Sequence, residues 1–184
     1  MLFSKINQIR PLITTACALT VLAATGLWYQ YAQSADARKV QVERGRYLVN
    51  FGGCNDCHTP GYFLGKPDKK RFLGGSDVGF FVPGLGSFVG PNLTPDGETG
   101  LGEWSKEEIV AAIQTGVTPS GRILAPIMPW HAFANLTKAD AYAIADYLQS
   151  LPAVKNKVPG PFGPEENPNI FLMKIVPPGT GNPQ

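Results

Sequence analysis

The sequence predicts a mainly helical domain behind an apolar leader, and three observations carry that reading. Three segments have helical periodicity with their own start and stop signals. The 21 glycines and 17 prolines of the 184-residue chain fall mostly between and after those segments, as expected for long loops. The chain opens with a stretch free of charge from Pro11 to Ala35.

In that leader, Lys5 and Arg10 precede the run LITTACALTVLAATGLWYQY, and the first acid is Asp36. About 20 apolar residues rising about 1.5 Å each cover the hydrocarbon core of a bilayer. Trp28, Tyr29 and Tyr31 stand where an aromatic belt is expected, and the basic flank predicts an N-in, C-out topology. A membrane anchor over residues 11–31 is the expectation. The rival is a signal peptide cleaved at the small-residue sites Ala32–Ser34 or Ala35–Ala37, which leaves a soluble periplasmic protein. The run is longer than an ordinary signal core, which favours the anchor, and both readings export the remainder of the chain. Cys17 lies inside the run behind Thr14, Thr15 and Ala16, a poor context for lipid attachment.

The first helix is read over Arg38–Asn50, with Val42, Leu48 and Val49 as apolar contacts and Gly45 open to the close approach of another helix. A long Gly- and Pro-rich stretch runs from Thr59 to Glu103. Within it Phe80–Val82 and Ser87–Val89 can pair as a small hairpin around Pro83–Gly86. The second helix begins at Ser105, with Glu108 at the capping-box position, Trp104 and Ile109 as a hydrophobic staple, and Gly116 as its stop. The third opens at Thr137, carries Ala141, Ile144, Ala145 and Leu148 on one face, and ends at Pro152. The chain thus divides into a leader (1–35), a helical domain (36–152) and a Pro/Gly-rich C-terminal extension (153–184). In the extension, residues 169–176 are too apolar to stay in water. They either fold back on their own domain or dock on a partner.

Global charge identifies no partner. Two of the 16 Lys and Arg lie in the leader and none of the 14 Asp and Glu does, so the exported part has no net charge. Nucleic acid finds no basic surface beyond the short loop cluster Lys66, Lys69, Lys70 and Arg71.

The chemistry is concentrated in Cys54, Asn55, Asp56, Cys57 and His58, which spell C-x-x-C-H. Two thiols one turn apart can each add across a vinyl group of a porphyrin, and the adjacent imidazole then reaches the iron, so the motif reads as a c-type haem attachment site. Zinc would need a fourth ligand, and only His131 is available, far away and unpaired. A redox dithiol would sit at a strand-to-helix junction, whereas Thr59, Pro60 and Gly61 signal a loop. The aromatic loop residues Phe63, Phe72, Phe80, Phe81 and Phe88, with Leu85, are then expected to lie on the porphyrin. For the sixth iron position the candidates are the methionines and His131. Met128 is preferred because Pro126 and Pro129 stiffen its loop, Met1 is at the wrong end of the leader, and Met173 reads as packing. Asn92, Thr94 and Trp104 can donate to the haem propionates, with turn formation and the helix staple as their plain alternatives.

These segments resemble a known family. A helix with G-x-Y-L, then CNDCHTP, GPNLTPDGETGLGEWS, RILAPIMPW and LTKADAYAIADYLQSLP, over about Arg38 to Pro152, are similar to class I monohaem cytochromes c. More narrowly they resemble the cytochrome c subunits of bacterial periplasmic alcohol and aldehyde dehydrogenases. The resemblance implies an all-α class I fold with one covalent haem c, thioethers at Cys54 and Cys57, and His58 and Met128 as axial ligands. It also implies a crossing of the first and third helices near Gly45 and Tyr147 or Leu148. The function it implies is electron transfer rather than catalysis, from a periplasmic dehydrogenase to an acceptor in the respiratory chain. The alternatives are a tethered shuttle between a quinol-oxidising complex and a terminal oxidase, and a haem enzyme or gas sensor with an open sixth site. The single C-x-x-C-H departs from multihaem relatives and leaves room for one haem.

Overall fold

The computed structural model describes residues 28–176. The predicted anchor over 11–31 therefore falls, except for its last four residues, outside the described part. Among the described residues no helix is long and apolar enough to cross a membrane. Helix α1 covers residues 28–51. It begins at least ten residues before the predicted start, because nothing from Trp28 to Arg44 interrupts a helix: the stretch holds neither glycine nor proline and is rich in Ala, Gln, Lys and Arg. Its part up to Val40 forms a unit of its own and is exposed throughout.

From Gln41 onward the chain is a second unit. Here α1 crosses α5 (Lys138–Ser150) at Gly45. A Cβ on Gly45 would lie 2.7 Å from Tyr147 Cβ and would overlap the Ala143 carbonyl, so the close approach requires glycine. Polar groups lock the crossing. Arg44 Nε donates to Asp140 Oδ1 at 2.8 Å and Gln41 Nε2 to the Ala139 carbonyl at 3.2 Å. The crossing expected near Tyr147 is thus present.

Helix α3 (Lys106–Thr115) starts as its sequence signals: the Ser105 hydroxyl accepts from the Glu108 N–H at 3.2 Å while the Glu108 carboxylate accepts from the Ser105 N–H at 2.8 Å. It stops at Gly116, left-handed at φ +72°. At the start of α5, Thr137 Oγ1 accepts from the Asp140 N–H, and Leu151 is extended ahead of Pro152. Two short helices complete the set, α2 (Cys54–His58) and α4 (Trp130–Phe133). The core lies between α1, α3 and α5, where Val49, Ile109, Ile144 and Leu148 are buried around Leu73 and Leu101.

The fold is not all-α. Strands β1 (Val78–Val82) and β2 (Gly86–Val89) form an antiparallel hairpin with Phe80 opposite Phe88, which extends the hairpin anticipated from the sequence. Strand β3 (Phe171–Lys174) adds to β1 in parallel, giving the order β2-β1-β3. The backbone of the apolar segment therefore folds back on its own domain, although the side chains of Phe171, Met173, Ile175 and Val176 stay exposed, contrary to the expectation that they would be covered. On the way, Phe162 exchanges two backbone hydrogen bonds with Ser87, at 3.0 and 2.9 Å. Several loop aromatics expected on a porphyrin face also make contacts within the protein. Phe72 joins the main core, Phe63 meets Phe80 edge to face with centroids 5.4 Å apart, and Lys174 Nζ lies over Phe81 at 5.2 Å.

Candidate functional site

The site begins where α1 is broken by Gly52 and Gly53. Gly53 is left-handed at φ +65°, which turns the chain into the single turn of α2 that carries the motif. Cys54 and Cys57, three residues apart, share one face of that turn. Burial pushes the Cys54 thiol up to about 11, and burial followed by the charge of Asp56 raises Cys57 as well. Neither sulfur is in a disulfide.

His58 at the end of the turn is buried, and that burial lowers its pKa and keeps the ring neutral. Its Nδ1 lies 2.8 Å from the Pro91 carbonyl oxygen. A carbonyl only accepts, so Nδ1 carries the proton and Nε2 presents a lone pair. The backbone around the ring is held from two loops. The Gly75 N–H donates to the His58 carbonyl at 2.8 Å, and the Ser76 N–H donates to the Gly90 carbonyl at 2.9 Å. Gly90 passes so close that a Cβ there would overlap the Cys57 carbonyl and stand 3.3 Å from His58 Nδ1. Thr59 Oγ1 ties the turn down further, donating to Asn55 Oδ1 at 2.8 Å and accepting from the Leu73 N–H at 2.9 Å.

Met128 is half-buried in the loop between α3 and α4. Two contacts close the base of that loop: the Leu124 N–H donates to the Gly116 carbonyl at 2.7 Å, and a Cβ on Gly116 would lie 2.6 Å from Trp130 Cδ2. Within it, the Met128 N–H donates to Ala125 at 3.0 Å and the Met128 carbonyl accepts from Trp130 at 2.8 Å. Helix α4 then abuts the turn before Cys54, because the Phe133 ring lies 3.5 Å from where a Cβ of Gly52 would be. Val117, Ile123 and Ile127 of the same loop are exposed.

The other candidates separate cleanly. His131 is exposed on α4, its ring stacked on Trp130 with centroids 3.4 Å apart. Met173 lies in β3, paired with Phe80. Asn92 is buried and fully committed: its Nδ2 donates to Val154 O at 2.6 Å and to Thr99 Oγ1 at 3.1 Å, and its Oδ1 accepts from the Thr94 N–H and hydroxyl. Thr94 Oγ1 in turn accepts from the Val154 N–H at 3.0 Å. Both residues are occupied by the fold. Trp104 packs half-buried on the core, and its indole N–H meets no acceptor among the described hydrogen bonds. Gly90 and Pro91 open the GPNLTPD segment noted in the sequence but were given no role there, and the pair Gly74–Gly75 was missed, its only trace being a Gly-Gly dipeptide in a loop.

Residues 42–152 match the family model described as Cytochrome c. The chain belongs to the cytochrome c family. Among curated proteins it is 37% identical over 113 residues to the fructose dehydrogenase cytochrome subunit of Gluconobacter japonicus, covering 60% of this chain and 22% of that one. It is 31% identical over 134 residues to the cytochrome c subunit of the quinone alcohol dehydrogenase of Gluconacetobacter polyoxogenes, covering 73% and 26%. It is 33% identical over 120 residues to the gluconate 2-dehydrogenase cytochrome c subunit of Pantoea cypripedii, covering 64% and 25%. The chain thus spans about a quarter of the length of these relatives. The family implies covalently bound haem c, and the donor set fits it: two thiols on one face of a turn beside a neutral imidazole with a free Nε2.

Proposed function

We propose that this chain is an electron-transfer unit whose C-x-x-C-H motif holds one haem, with His58 Nε2 and Met128 Sδ as the axial ligands. The observation that carries the proposal is the buried His58 ring, whose Nδ1–H faces the Pro91 carbonyl and leaves Nε2 as a lone-pair donor beside two thiols. Each thiol would add its S–H across a vinyl double bond of the haem, a step that balances without an oxidant. The haem supplies the one-electron change at iron; the protein supplies the two ligands, the burial and the docking surface. The packing of α4 against the turn before Cys54 supports Met128 as the second ligand, since Pro129 at the start of α4 follows it directly. A thioether ligand raises the potential and closes the iron to small ligands, which suits outer-sphere transfer. Trp104 remains the donor offered to a propionate, whereas Asn92 and Thr94 have no capacity left for one.

The names of the relatives support a dehydrogenase as the electron donor, and an acceptor in the respiratory chain completes the proposed route. The basic flank and apolar run of the leader support placement on the periplasmic side of the bacterial inner membrane. The open-site enzyme reading would rely on His131 as its distal acid–base group, and that residue is exposed on α4. Carbon monoxide tests the assignment. The reduced protein keeps its spectrum under the gas, whereas Met128→Ala binds it rapidly and has a lower potential; ligation by the unmodified protein overturns Met128 as ligand. Pigment that washes out in acid acetone overturns the thioethers.

A further inference from the structure

The family match ends at residue 152, yet the segment just beyond it reaches the backbone on both sides of His58. Val154, Asn156 and Val158 are half-buried in alternation with exposed Lys155 and Lys157, the pattern of an extended strap. Val154 exchanges bonds with the Asn92 and Thr94 side chains, and the Asn156 N–H donates to Thr99 Oγ1 at 3.0 Å. Asn156 Nδ2 crosses to the other loop and donates to the Gly74 carbonyl at 2.7 Å. The two glycines form the seat: a Cβ on Gly74 would lie 3.0 Å from Val154 Cγ1, and one on Gly75 3.3 Å from Asn156 Nδ2.

Each loop so gripped holds His58. Asn92 follows Pro91, whose carbonyl faces His58 Nδ1 at 2.8 Å, and Gly74 precedes Gly75, whose N–H holds the His58 carbonyl at 2.8 Å. We propose that Asn156 is a positioning residue, which by joining these loops fixes the orientation of the His58 ring. The inference rests on the reading of His58 as an iron ligand. The connection runs from Asn156 Nδ2 to the Gly74 carbonyl on one side, and from the Asn156 N–H through Thr99 Oγ1 to Asn92 Nδ2 on the other, so a change at Asn156 reaches the ring without touching it.

The test compares purified haem-bearing Asn156→Ala with Leu172→Ala, which loosens β3 against Gly79 without touching the strap. Asn156→Ala keeps its thioether haem but shifts the hyperfine-shifted His58 ring signals and the midpoint potential, and its His58 Nδ1–H exchanges about tenfold faster. Leu172→Ala lowers the melting temperature and leaves the ring signals in place. Asn156→Asp, of the same shape but without the donor to Gly74, reproduces the spectral shift of the alanine variant. If both Asn156 variants only lower the melting temperature, or neither yields a haem-bearing protein, Asn156 serves folding and the proposal is overturned. Loss of pigment from the unmodified protein in acid acetone overturns instead the site reading beneath it.

Discussion

Replacing Gly45 by alanine tests the joint on which the haem-bearing turn is mounted. The new Cβ would stand 2.7 Å from Tyr147 Cβ and inside the Ala143 carbonyl. Carbon atoms in contact rest about 3.5–4.0 Å apart, so α1 and α5 must separate by about 1 Å. No rotamer change relieves this, because Ala143 presents backbone and Tyr147 its first side-chain carbon. Overpacking of this kind costs about 1–3 kcal/mol, and the upper end applies where the obstacle is backbone. Alanine returns up to about 1 kcal/mol in helix propensity, which leaves a net loss of about 2 kcal/mol. For a unit of this size the midpoint of thermal unfolding falls by about 4–8 °C. Far-ultraviolet circular dichroism of the haem-bearing protein measures it, with a urea midpoint as cross-check. A melting temperature equal to or above that of the unmodified protein refutes the crossing, since propensity alone would then have decided the outcome.

Two further changes probe helix starts and charge. Ser105→Ala removes the hydroxyl that accepts from the Glu108 N–H, leaves the backbone bond from residue 105 to the Glu108 carboxylate, and lowers stability by about 1 kcal/mol, read as a lower urea midpoint. The Arg44 hydrogen bond, assisted by Thr137, holds the Asp140 carboxyl below its usual range. Its folded pKa is below its unfolded one, so its contribution is fully present above the ordinary carboxylate value near pH 4 and is lost as pH falls through the lower folded value. Asp140→Asn therefore melts about 2 °C lower at neutral pH, with the difference vanishing in acid; a constant difference across that range contradicts the pair.

What the sequence made legible is what its neighbours in sequence decide. The caps of α3 and α5 and the thiol spacing of α2 are written within three or four residues of where they act, and the structure follows them. Strand β3 is different, because Phe171–Lys174 finds its partner more than ninety residues back at Val78–Phe81 by backbone pairing, which no local pattern specifies. The Pro91 carbonyl is 33 residues from the ring it orients. Asn92 and Thr94 depart from expectation for the same reason: their polar groups suit a propionate in the sequence, but Val154, about sixty residues later, claims them. The early start of α1 has a simpler cause, since helix continues wherever nothing stops it.

The two proposed axial ligands are held in unequal ways, and that inequality bears on which face of the iron yields first. His58 is buried, and two separate loops hold its ring and carbonyl, with a third segment joining those loops. The backbone bonds of Met128 reach only Ala125 and Trp130, and its loop is closed at its base by Leu124 and Trp130 on the single residue Gly116. Moving the imidazole would break bonds in several loops at once, whereas moving the thioether disturbs one local turn. Under the proposed ligation, ligand exchange is therefore expected on the Met128 face, and Met128→Ala would open the iron without unseating His58.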